Sequence, residues 1–123
     1  MMGRVLDALQ ASPYADNTIV VLWGDHGYHI GEKNRFAKHS LWEETSRVPL
    51  IIKLPDSEHG GTRVSDQVRA VDLAPTLLDL VGAPELPDVD GRSLMPLIES
   101  PADADHPRHA FVEETGATGV RTE

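Results

Sequence analysis

Residues Thr18-Ile19-Val20-Val21-Leu22-Trp23 form an unbroken apolar and β-branched run that is broken at once by Gly24-Asp25-His26-Gly27. A short apolar run of this kind, bounded by glycine, reads as a buried strand that stops abruptly and delivers a carboxylate and an imidazole into a loop. Open α/β sheets bind ligands just beyond the carboxyl ends of their strands, so this is where a metal or catalytic pair would sit. The alternative for the dipeptide alone is a solvated turn, with Asp25 capping the next segment and His26 merely exposed.

The rest of the chain reads as α/β. Met2, Val5, Leu6 and Leu9 fall at helical spacing and predict a short amphipathic helix ending before Ser12-Pro13. Gly27 to Arg35 reads as a loop, and Val48 to Leu54 as a second strand with an early proline, Pro49, suited to a strand start. Asp56 to Thr62 reads as an exposed loop. Asp72 is a candidate N-cap for a helix that tolerates Pro75 in its first turn, with Leu73, Leu77, Leu80 and Val81 on one face and Gly82 at its end. Ser93 is placed to cap a short helix through Glu99, and His109 to Glu113 and Thr118 to Thr122 read as two strands joined around Gly116.

The longer motif is more specific than the dipeptide. Gly24-Asp25-His26-Gly27-Tyr28-His29-Ile30-Gly31-Glu32 is followed by Phe36-Ala37-Lys38-His39-Ser40-Leu41-Trp42-Glu43-Glu44 and by Arg47-Val48-Pro49-Leu50-Ile51-Ile52. With Asp72-Leu-Ala-Pro-Thr-Leu-Leu-Asp-Leu-Val-Gly82 and Asp90-Gly91-Arg92-Ser93-Leu94, this closely resembles the sulfatase family of the alkaline phosphatase superfamily over nearly the whole chain. The resemblance implies an α/β fold: a partial alkaline-phosphatase-like sheet with flanking helices, then the start of a small antiparallel C-terminal subdomain. Residues 1–100 would be the C-terminal portion of the catalytic domain and 101–123 the truncated start of that subdomain.

Sulfatases use a formylglycine nucleophile made from the Cys or Ser of a Cys/Ser-x-Pro-x-Arg motif. This chain has no Cys, and none of its Ser residues begins such a motif. The family's early Asp-Asp metal pair and the Lys and His of its middle region have no counterpart either. The expectation is therefore a fragment, with the formylglycine in a missing N-terminal part and the chain alone inactive.

By the same resemblance, Asp25 and His26 are metal ligands. Calcium is the first expectation, although it prefers all-oxygen shells whereas imidazole suits zinc, manganese or iron; magnesium, manganese and zinc stay open. Lys38, thirteen residues after Asp25, matches the family lysine that contacts the sulfate, where a fixed ammonium stabilises charge gathering on the sulfate oxygens. His39 is a candidate to line the substrate pocket or, equally, a hydrogen-bonded structural histidine. Tyr28 and His29 are candidates for a part in specificity, Arg47 reads as structural, and Glu43, Glu44, Glu113 and Glu114 read as a solvated face.

The implied activity is hydrolysis of a sulfuric ester, on a small-molecule or saccharide substrate. Two alternatives stand beside it: a phosphodiesterase or phosphomutase of the same superfamily, and a truncated, non-catalytic metal-binding or interaction protein. The net charge of −9 argues against nucleic acid, since phosphate binding needs clustered Lys and Arg. No apolar stretch approaches the ~20 residues of a membrane span, and Met1-Met2-Gly3-Arg4 opens no signal-peptide core. With the natural start expected upstream, localisation stays unread, as does oligomeric state.

Overall fold

The computed structural model describes residues 1–55, 59–102, 104–105, 109–114 and 116–122. They form two compact units, Met1–Gly24 with Val48–Thr62, and Asp25–Arg47 with Arg63–Glu123.

In the first unit, helix α1 (Met2–Gln10) precedes strand β1 (Val20–Trp23), which pairs antiparallel with β2 (Leu50–Lys53) in the register Val20 to Lys53 and Trp23 to Leu50. Both expected strands are therefore present, each shorter than its apolar run. Burial departs from expectation. β1 is half-buried rather than buried, and Trp23 is 47% exposed. Among the described residues β1 has one neighbouring strand, and a two-stranded ribbon cannot cover both of its own faces. Pro49 lies just outside β2, and its carbonyl accepts from Gly24 N–H at 3.1 Å, which closes the strand end where the chain turns toward Asp25. The apolar stripe of α1 is also open, with Met2, Val5 and Leu6 exposed.

In the second unit, helices α2 (Glu43–Ser46), α3 (Leu73–Leu80) and α4 (Met95–Glu99) precede a hairpin of β3 (His109–Glu114) and β4 (Ala117–Thr122). The hairpin register sets Ala110 opposite Arg121 and Val112 opposite Gly119. Its turn runs through Gly116, whose φ of 77° is in the left-handed region that glycine enters without a Cβ clash. Helix α3 ends as expected at Gly82: Gly82 N–H donates to Asp79 O and Ala83 N–H to Leu78 O, which satisfies the last carbonyls of the helix. The N-cap of α4 is Leu94 rather than the expected Ser93; Ser93 Oγ, one residue earlier, accepts from Met95 N–H at 3.2 Å.

Two expectations for α3 need correction. Leu77 and Val81 are exposed, and the fully buried residue of the helix is Thr76. Burial is tolerated there because the Thr76 hydroxyl donates to Asp72 O at 2.5 Å and accepts from Leu94 N–H at 2.9 Å, leaving nothing unsatisfied. Leu94 and Leu97 form the buried apolar core against which this joint closes. Asp72 does stand at the N-cap of α3, but its side chain makes no bond to the start of the helix. Its carboxylate points back to Arg69 N–H at 2.8 Å and forward to Arg92 N–H at 3.0 Å. Asp56 to Glu58, part of the expected exposed loop, lie outside the described residues. No helix among the described residues is long and apolar enough to cross a membrane.

Candidate functional site

Asp25, His26 and Lys38 come together. Asp25 Oδ1 accepts from the His26 backbone N–H at 3.0 Å, and Asp25 Oδ2 lies 3.6 Å from His26 Nε2. His26 Nδ1 is 2.9 Å from the Gly27 carbonyl oxygen. A carbonyl only accepts, so Nδ1 carries the proton and Nε2 keeps its lone pair. That lone pair faces Lys38 Nζ at 3.0 Å, where the ammonium donates to it. Asp25 is 73% exposed and His26 39%, so both lie at the surface of the unit and accessible to a ligand.

The loop that carries these groups is held from beneath. Gly27 N–H donates to Thr45 O at 2.8 Å, and a Cβ at Gly27 would fall inside van der Waals contact of the Glu44 carbonyl oxygen. Only glycine fits that approach. His29 is fully buried; its N–H donates to Ala37 O at 2.9 Å, and its Nε2 is 2.9 Å from Ser40 Oγ. Ser40 Oγ in turn contacts Thr45 Oγ1 at 2.9 Å. His29 is thus a structural brace between the two arms of the loop. Its Nδ1 is buried with no hydrogen-bond partner among the described residues.

Other residues take plainer places. His39 is mostly exposed, with Nδ1 3.5 Å from Glu114 Oε2. Tyr28 is exposed, and its hydroxyl donates to Phe36 O at 3.3 Å. Arg47, at the C-cap of α2, pairs with Glu43 at 3.6 Å, and Lys33 Nζ lies 4.8 Å from the centre of the Trp42 ring. Glu32 carries a carboxyl pKa lowered from its ordinary 4.5, because its carboxylate accepts from its own N–H and from Ile30 N–H. Sequence reasoning missed α2 and the Ser40 and Thr45 bridge. The signal available for it was the run Ser40-Leu41-Trp42-Glu43-Glu44-Thr45, with a hydroxyl residue at each end.

The donor set fits part of a metal shell. A carboxylate oxygen and an imidazole nitrogen 3.6 Å apart can both reach one ion at ordinary ligand distances of about 2.0–2.6 Å. An Nδ1–H held on a carbonyl is the usual support of a metal-bound Nε2. No group of three or more His, Cys, Asp or Glu that could hold a metal forms among the described residues, so further ligands would have to come from elsewhere.

The loop that follows β1 thus brings a carboxylate, an imidazole and an ammonium side by side. The Sulfatase family model matches residues 1–83 of the chain. This chain belongs to the sulfatase family. It is 45% identical over 98 residues to a sulfatase of Formosa agariphila, a match covering 80% of this chain and 19% of that protein. The structure of BT4656 in complex with its substrate D-glucosamine-2-N,6-O-disulfate superposes with a TM-score of 0.86 at 36% identity, over 98% of this chain and 27% of the other. The phosphonate monoester hydrolase SpPMH from Silicibacter pomeroyi superposes with a TM-score of 0.78 at 32% identity, over 89% of this chain and 22% of that one. The chain thus spans about a fifth of the length of the curated relative it matches, and its fold is the alkaline-phosphatase-like α/β fold of these sulfatases.

Proposed function

We propose that these residues supply part of the active site of a metal-dependent sulfatase that hydrolyses a sulfuric ester of a saccharide. The observation that carries the reading is the convergence of Asp25 Oδ2, His26 Nε2 and Lys38 Nζ within 3.0–3.6 Å steps at one strand end. Asp25 and His26 would hold a divalent metal, calcium first and magnesium, manganese or zinc as alternatives. When bound, such an ion supplies Lewis-acid stabilisation of negative charge on oxygen. The nucleophile, expected to be a formylglycine, and the remaining ligands would come from sequence matching the rest of the family domain. Residues 1–100 fit the C-terminal portion of that domain and 101–123 the start of a smaller subdomain.

Within the chain, the chemistry falls to three side chains. The His26 Nδ1–H bond to Gly27 O fixes the ring so that Nε2 stays an acceptor. One lone pair cannot serve both a metal ion and the Lys38 ammonium. With a metal on Nε2, Lys38 would be free to donate to an anionic oxygen of the substrate sulfate, where its charge would count most as the ester bond breaks. His39 sits next to it as a substrate-side candidate. The saccharide assignment draws support from the disulfated glucosamine substrate of BT4656.

The phosphonate monoester hydrolase likeness supports a second reading, in which the same cation and ammonium hold a phosphonate ester. Both are tested by assaying the product of the longest reading frame containing this chain against glucosamine 6-sulfate and phenyl phosphonate esters. The proposal expects sulfate release to dominate, and a Lys38→Ala variant to lose about 10²–10³-fold in kcat/KM with an unchanged melting temperature. Preferential phosphonate cleavage would favour the second reading. No loss on removing Lys38 would take it out of the site.

A further inference from the structure

The residues that follow Lys38 divide by parity. Lys38 reaches His26 and Ser40 reaches His29 and Thr45, so the even positions turn toward the metal-ligand loop and its brace. The odd positions all meet the β3–β4 hairpin. His39 Nδ1 lies 3.5 Å from Glu114 Oε2 at the end of β3. Leu41 Cβ lies 3.7 Å from where a Cβ on Gly119 of β4 would stand, so the β4 backbone runs close over Leu41. The Glu43 carboxylate is ion-paired with Arg121 of β4, whose Nη1 is buried at that contact. Glu43 stands in the first turn of α2, the helix whose Thr45 carbonyl receives Gly27 N–H. The segment carrying Lys38 is therefore sandwiched between the hairpin and the buried His29.

We propose that the β3–β4 hairpin is the positioning element of Lys38, with Arg121 as the positioning residue acting through Glu43. The proposal rests on the reading that Lys38 is the anion-binding group of the site. Exposed ion pairs contribute little on their own, and here Glu43 is exposed while Arg121 is half-buried; the pair matters by its place, where a small displacement is passed to a group that must be held within about half an ångström to work. The Lys38 ammonium sits on a flexible four-carbon stem, so the backbone at 38–43 has to supply the fixity that the side chain lacks.

The test reads the Lys38 contact directly. In the 123-residue chain, nitrogen NMR of the His26 ring reports whether Nε2 accepts from the ammonium, and Lys38→Ala defines the uncoupled signal. Arg121→Ala and Glu43→Gln are each expected to move the His26 Nε2 resonance most of the way to its Lys38→Ala position. The double variant should go no further than either single one, and Arg121→Lys should restore the wild-type signal. Glu43→Gln leaves the hairpin sequence untouched, and the cross-strand amide signals of β3 and β4 confirm in the same spectrum that it is folded. A His26 signal unchanged in Glu43→Gln, with the hairpin formed and Lys38→Ala shifted, would overturn the proposal. Because the readout is a contact and not turnover, its failure is separate from a failure of the sulfatase reading, which the ester assay decides.

Discussion

Asp25 and Asp72 are both aspartates beside apolar runs, and they are used in opposite ways. Asp72 is fully buried, and its two oxygens receive Arg69 N–H at 2.8 Å, Arg69 Nη2 at 3.0 Å, Arg69 Nε at 3.4 Å and Arg92 N–H at 3.0 Å. Every strong acceptor position is filled by the chain itself. Asp25 is 73% exposed and receives one backbone N–H, from its immediate neighbour. A carboxylate whose lone pairs are filled by its own backbone and a paired guanidinium is a structural joint; one left open beside an imidazole and an ammonium has capacity for a ligand. The difference separates a carboxylate that holds this fold from one that the proposed site would use.

The sharpest way to break that comparison is to remove both carboxylates in turn. Asp72→Ala strands the Arg69 guanidinium and two backbone N–H groups, and a cost of about 3–5 kcal/mol in urea unfolding is expected. Asp25→Ala should stay within about 1 kcal/mol of wild type. Equal losses would show that Asp25 is also structural. A smaller effect tests the neighbouring joint: Thr76→Val keeps the shape but leaves Leu94 N–H without its acceptor, for a loss of about 1–3 kcal/mol. Replacement without loss would mean that packing of Leu94 and Leu97 alone closes α3 on α4.

The smallest effect lies with Glu32. Its folded-state pKa is lowered by the N–H groups of Glu32 and Ile30, so it contributes stability that is present above the ordinary value of 4.5 and lost as pH falls below it through the folded-state value. Glu32→Gln should flatten the pH dependence of unfolding in that acid window and leave neutral stability nearly unchanged. A slope of the same size in the variant would assign the acid sensitivity to other carboxylates.

What was legible in the sequence was local. The apolar run with its glycine stop, the α3 Schellman end at Gly82 and the hairpin around Gly116 all depend on residues within a few positions of each other. The meeting of Asp25, His26 and Lys38 is local too, since Asp25 and His26 are adjacent and Lys38 returns after one loop. What was not legible depends on distant partners. The burial of Thr76 needs Leu94 N–H eighteen residues away, and Asp72 turns back because Arg92 N–H, twenty residues on, meets its carboxylate. Apolar periodicity put Leu77 and Val81 on the inner face because hydrophobicity carries no information about a threonine that is satisfied on both sides. β1 read as buried because its composition suits a strand covered on both faces, whereas here it has one paired neighbour.

The central claim is that Asp25 and His26 are open to a divalent cation while Asp72 is not, and paramagnetic titration tests it most directly. On adding Mn²⁺ to the 123-residue chain, the amide signals of Asp25 to Gly27 and the His26 ring should broaden first, and those of Arg69 to Leu73 should persist. Affinity should be weak, because calcium-type sites need six or more ligands and Asp25 and His26 would supply two. Asp25→Ala should abolish the selective broadening. Broadening centred on other carboxylates, unaffected by Asp25→Ala, or nanomolar affinity from this chain alone, would contradict the account.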